Sequence, residues 1–125
     1  MRPFNVVLSY HDTLAARRLA ARLRPEFRSL SLANSVADTR QVIAQERPAF
    51  AIVDLELVSY SELNELCSNF PATAFVGIHR LADERVWCEV LAAGGVDCCA
   101  AGDVYSILRA ADRWAPPRRA LVAAA

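Results

Sequence analysis

Short apolar runs alternate with helix-periodic stretches along the whole chain. The clearest run is Ala49-Phe50-Ala51-Ile52-Val53, which follows Pro48 and closes on Asp54. It is brief and has no polar alternation, which fits a strand buried on both faces of a parallel sheet. Asn5–Ser9, Thr73–Ile78 and Val96–Ala101 share that character, and Phe27–Leu32 reads as a weaker, alternating strand. Between these runs the period lengthens. Leu14–Arg24 puts Ala15, Ala16, Leu19 and Leu23 on one face of a helix, with Pro25 as its stop. Asn34-Ser35, with Asp38 in the capping-box place, opens a second helix that runs to about Arg47. Ser59 and Glu62 repeat the capping-box spacing and open a short third helix through Leu63, Leu66 and Cys67.

The fourth helix, about Ala82 to Ala93, sets Val86, Trp87, Val90 and Leu91 against Glu84, Arg85 and Glu89, so Trp87 reads as a core residue. Gly94-Gly95 supplies its stop. Gly102-Asp103 turns the chain into a fifth helix that carries Val104, Ile107, Leu108, Ala111 and Trp114 along one face. Five strands alternating with five helices predict an α/β domain, a doubly wound parallel sheet with right-handed crossovers. The domain is expected over residues 1–115, with 116–125, after Pro116-Pro117, as a tail or the start of a linker. In such sheets ligands gather at the carboxyl ends of the strands, and Asp54 stands at one.

Composition narrows the chemistry. The 125 residues carry 14 basic and 14 acidic side chains, so no net charge draws the chain to nucleic acid or to an anionic membrane. No apolar run approaches the roughly 20 residues that span a bilayer. The amino terminus does not read as a signal peptide, and a cytoplasmic location is expected. Every basic residue is arginine, so no mechanism that needs a lysine ammonium can run within this chain. Arg17, Arg18, Arg22 and Arg24 flank the first helix as solvated residues. Cys67, Cys88, Cys98 and Cys99 lack zinc spacing and read as reduced, buried thiols that pack like small apolar side chains.

With five such units in place, two segments, Arg47-Pro48-Ala49-Phe50-Ala51-Ile52-Val53-Asp54-Leu55-Glu56 and Leu91-Ala92-Ala93-Gly94-Gly95-Val96-Asp97, resemble the receiver domains of bacterial two-component response regulators. The resemblance covers about residues 4 to 114. It implies a CheY-like, flavodoxin-like (βα)5 fold with strand order 2-1-3-4-5. In that family the aspartate ending the third strand accepts a phosphoryl group from a histidine kinase. Carboxylate attack on a phosphate sets negative charge against negative charge, so a hard cation, usually magnesium, is required. The family supplies two acidic residues after strand one, a backbone carbonyl after the phosphoacceptor, a hydroxyl ending strand four and a lysine ending strand five.

Carried over position by position, the phosphoacceptor falls on Asp54 and the carbonyl on Glu56. The acidic pair falls on Tyr10 and His11, neither a carboxylate. Asp12 lies one residue late, where a loop shift would be needed to bring it in. The hydroxyl position falls on Ile78 and the lysine position on Ala101, followed by Gly102 where the family has proline. The expectation is therefore a degenerate receiver that is not an enzyme, holds no metal or cofactor, and works through a protein partner, a histidine kinase or another receiver. A homodimer through helix 4, strand 5 and helix 5 is one form of that expectation. Two readings stay open beside it. One is an active receiver phosphorylated at Asp54, with magnesium and Asp12 as helper. The other is a small flavin- or nucleotide-binding protein on the same fold, although Ser9–Thr13 lacks the glycines of a phosphate loop.

Overall fold

The structure is a computed structural model and describes residues 1–115. The expected tail at 116–125 lies outside the described residues. The strands are β1 (Arg2–Ser9), β2 (Phe27–Ala33), β3 (Phe50–Asp54), β4 (Ala74–His79) and β5 (Asp97–Ala100). The helices are α1 (Thr13–Leu23), α2 (Val36–Glu46), α3 (Tyr60–Asn69), α4 (Glu84–Ala92) and α5 (Val104–Trp114). The strands form one sheet in the order β2-β1-β3-β4-β5, every pair parallel.

The period of 2 along each strand divides the core into two layers. Val6, Leu8, Phe50, Ile52, Val76 and Ile78 face one side and pack with Leu19, Leu23, Ile107 and Ala111 of α1 and α5. Val7, Ala51, Val53 and Phe75 face the other and pack with Ile43, Leu63, Leu66 and Val90 of α2, α3 and α4. β3 lies at the centre with all five residues buried, as its unbroken apolar run requires. Asp54 pairs with Ile78 across the β3–β4 ladder, so the top of the sheet brings a carboxylate beside a core aliphatic side chain.

Local signals set most boundaries. Ser59 and Glu62 form the full reciprocal capping box, while Ser35 caps α2 by accepting from the Asp38 N–H. Asp83 caps α4 and Asp103 caps α5. Three details differ from the sequence reading. β1 starts at Arg2, three residues early, where the guanidinium pairs with Glu26 and Asp112. Pro25 does not end the turning of the chain: Arg24–Glu26 continues as a 3-10 turn with the proline near its start, where a missing N–H costs nothing.

The third difference is α4. Trp87 and Leu91 are exposed, and Val90 is the buried residue within the helix. Val90 seats between Gly77 and Gly95, where an added Cβ would come within 2.9 and 2.6 Å of its methyl groups. That close approach fixes which way the helix faces and turns Trp87 outward, so Trp87 is not core. Its indole N–H donates to Asp97 Oδ1 at 3.1 Å, and the indole N–H of Trp114, also exposed, donates to Asp97 Oδ2 at 3.2 Å. The four thiols are free. Burial pushes Cys67 and Cys98 up to about 11 and Cys99 up to about 12, which keeps them protonated and inert. Of the four expected to be buried, Cys99 is, Cys67 and Cys98 are half-buried, and Cys88 is exposed on α4.

Candidate functional site

The site sits where β1 and β3 end. Asp54 is 4% exposed and both carboxylate oxygens are engaged. Oδ1 accepts the Glu56 N–H at 3.0 Å, and Oδ2 accepts the His11 N–H at 3.0 Å. The His11 ring also places Nδ1 on Asp54 Oδ2. The other ring nitrogen, Nε2, lies 3.4 Å from Glu56 Oε2. Glu56 in turn pairs with Arg80 at 3.0 Å. The result is a chain of contacts, Asp54–His11–Glu56–Arg80, drawn from the ends of three loops. The ring bonds one carboxylate through Nδ1 and faces a second through Nε2. The bond to Asp54 holds the His11 pKa above its ordinary value; partial desolvation opposes this, and the charges of Asp54, Glu56 and Asp12 add to the rise.

The remaining expected site residues are employed elsewhere. Asp12 does not swing toward Asp54. It is the N-cap of α1 and accepts the Leu14 and Ala15 N–H groups at 3.0 and 3.1 Å, so the loop shift that would enlist it as a helper carboxylate does not occur. Tyr10 packs partly buried against the α1–α5 core layer, its ring centroid 5.7 Å from that of His11. Burial raises its hydroxyl pKa, with Asp54, Asp12 and Glu56 adding to the rise. Ile78 is fully buried and belongs to the core rather than to the site. Ala101 packs on that same layer, and Gly102 follows at φ 86°, a conformation closed to proline. So the structure gathers Asp54, His11 and Glu56, adds Arg80, and leaves Tyr10, Asp12, Ile78 and Ala101 to cap and pack.

The receiver resemblance implies a divalent cation here, and the residues do not fit magnesium. Mg²⁺ demands oxygen ligands in near-octahedral array, and the loop after β1 turns an imidazole toward Asp54 while its carboxylate, Asp12, caps α1. His11, Asp54 and Glu56 do have ligand-type atoms within 4.8 Å of one another, but the ring is already bonded into that space. No buried side-chain nitrogen or oxygen among the described residues lacks a hydrogen-bond partner, so no buried polar group here waits for a ligand.

No protein-family model and no curated protein matches the sequence. Solved structures do. A LuxR-family two-component response regulator from Aurantimonas superposes at a TM-score of 0.78 with 11% identity, over 89% of this chain and 84% of that one. A Francisella response-regulator receiver domain gives 0.77 with 13% identity, over 89% and 95%. A response regulator described as putative, from Chloroflexus aurantiacus, gives 0.78 with 18% identity, over 92% and 100%. The chain has the receiver fold. On that fold Asp54 occupies the end of β3 and Tyr10-His11 the loop after β1, as the sequence resemblance required. The pairing of Glu56 with Arg80 and the clamp of two indoles on Asp97 had no clear signal in the sequence, since each joins residues with no shared motif.

Proposed function

We propose that this chain is a signalling interaction module on the receiver fold, non-catalytic and free of cofactor, that works without magnesium-dependent phosphorylation of Asp54. One observation carries this reading: the Asp54 carboxylate is buried and both its oxygens are committed, one of them to a ring nitrogen of the chain's own. A carboxylate so engaged is a weak nucleophile, and Ile78 and Ala101 stand where the family places the hydroxyl and the lysine that stabilise an incoming phosphoryl group. Its output is contact with a protein partner, a histidine kinase or another receiver-fold chain. The surface proposed for it is that of α4, β5 and α5, which exposes Trp87, Leu91, Tyr105 and Trp114. Arg109 stacks over the Tyr105 ring at 5.6 Å and Arg113 over the Trp114 ring at 5.5 Å. Aromatic and arginine side chains are the preferred anchors of protein interfaces.

The test is incubation with magnesium and a small phosphodonor such as acetyl phosphate, followed by intact mass, with beryllofluoride in parallel under amide NMR. The expected result is no mass gain and no shift at Asp54. A mass gain in the wild type that disappears in Asp54→Asn would overturn the proposal.

A further inference from the structure

We infer that the pocket at Asp54 is filled by the chain's own His11 ring, and that this ring is what closes the site to magnesium. The inference deepens the proposed function and rests on the reading of the receiver fold. It stands on the placement of four groups. His11 enters from the β1–α1 loop at the position where the resemblance puts one of two acidic residues. It bonds Asp54 with both backbone N–H and Nδ1, and turns Nε2 to Glu56 at 3.4 Å. Arg80, from the loop after β4, takes the far side of Glu56 at 3.0 Å. Asp54, His11, Glu56 and Arg80 thus contact one another in series.

A metal entering between Asp54 and Glu56 must displace the ring from both and meet Arg80 as a like charge. The β1–α1 loop has one carboxylate, Asp12, and its Oδ1 is turned away to cap α1. The ring also does structural work that a metal does elsewhere, tying loops together. The β1–α1 loop, the β3–α3 loop and the loop after β4 are joined through one imidazole and one carboxylate. The arrangement of those loops is therefore set within the chain and does not wait for an ion. The joint is strongest at Asp54, which is buried, and weakest at Arg80, whose side chain is 79% exposed and whose pairing is screened by solvent.

The experiment is a magnesium titration followed by amide NMR, with manganese broadening as a second probe. It compares the wild type with His11→Asp and with Tyr10→Asp/His11→Asp. The wild type is expected to show no response at His11, Leu55 or Glu56. His11→Asp is expected to respond there, and the double variant to bind on the order of tenfold more tightly again. The single variant keeps the half-buried Tyr10 ring in place, so it serves if the double variant does not fold. A wild-type response at those amides overturns the inference. Silence in the wild type and in every folded variant also overturns it, since something other than His11 would then bar the ion. Magnesium binding by the wild type without phosphoryl uptake would sink this inference and leave the proposed function intact. Phosphoryl uptake at Asp54 would sink the proposed function itself.

Discussion

His11 shows how one side chain redirects a site. The chain contains two histidines, His11 and His79, and only His11 contacts Asp54. Its pKa is raised first by the bond to Asp54 and then by the surrounding carboxylates. A raised value in the folded state means that the imidazolium form favours folding. That contribution is fully present below the ordinary histidine value of about 6.5 and is lost as pH rises through the higher folded value. Stability measured as a urea midpoint is therefore expected to decline from about pH 6.5 upward, and Asp54→Asn should flatten the decline. Ring-proton NMR of His11 in a His79→Gln background checks the cause directly: an unshifted His11 midpoint would refute it. The sequence made Asp54 legible because an apolar run ending in a carboxylate is a local pattern. It made the loss of the hydroxyl and the lysine legible for the same reason. With no lysine in the chain, His11 and Arg80 were readable as sources of positive charge for Asp54; that His11 takes Asp54 while Arg80 takes Glu56 depended on where three loops meet, which no local pattern records.

At the level of elements, the helix that the periodicity described most cleanly is the one it oriented wrongly. The α4 wheel places Trp87, Val90 and Leu91 together, and hydrophobicity alone sends all three inward. Packing overrides this because Gly77 on β4 and Gly95 before β5 let Val90 sink between them. Once Val90 is seated to full burial, a nine-residue helix has little left to bury, and Trp87 and Leu91 remain outside. Gly95→Ala tests this seating. Its Cβ would lie 2.6 Å from a Val90 methyl and 3.1 and 3.2 Å from the Val90 and Phe75 carbonyl oxygens, and two of those three neighbours are backbone. Overpacking of this kind costs about 1–3 kcal/mol, read as a lowered urea midpoint. Gly95→Ala with Val90→Ala should recover part of that loss if Val90 is the clash. Equal losses in the single and double variants would show that the backbone carbonyls dominate instead.

Across the whole molecule, the order of strands was legible because alternation of strand and helix leaves few topologies once crossovers are right-handed. The surfaces that topology creates were less so. β5 is the edge of the sheet, and its first residue, Asp97, receives the indole N–H groups of Trp87 from α4 and Trp114 from α5. One carboxylate therefore joins the two helices that flank the edge strand, and it also accepts the Cys98 N–H at 2.8 Å. Asp97→Ala removes all three acceptances. Net hydrogen bonds contribute about 0.5–1.5 kcal/mol each, and more when one partner is charged; the two indole bonds are exposed, which places the loss toward the lower end of the combined range. Both tryptophans of the chain lose a partner in this variant, so intrinsic fluorescence reports the change without a label. A shifted emission maximum with a modest fall in urea midpoint is the expected result, whereas unchanged emission would mean that the indoles hold their places by packing alone. The same variant bears on the proposed interaction surface, because freeing the indoles loosens two of its four large apolar side chains. Weaker partner binding or self-association by Asp97→Ala, with the amide shifts of His11, Leu55 and Glu56 unchanged, would separate the two ends of the domain. It would place recognition at the α4–β5–α5 edge and the closed carboxylate site apart from it.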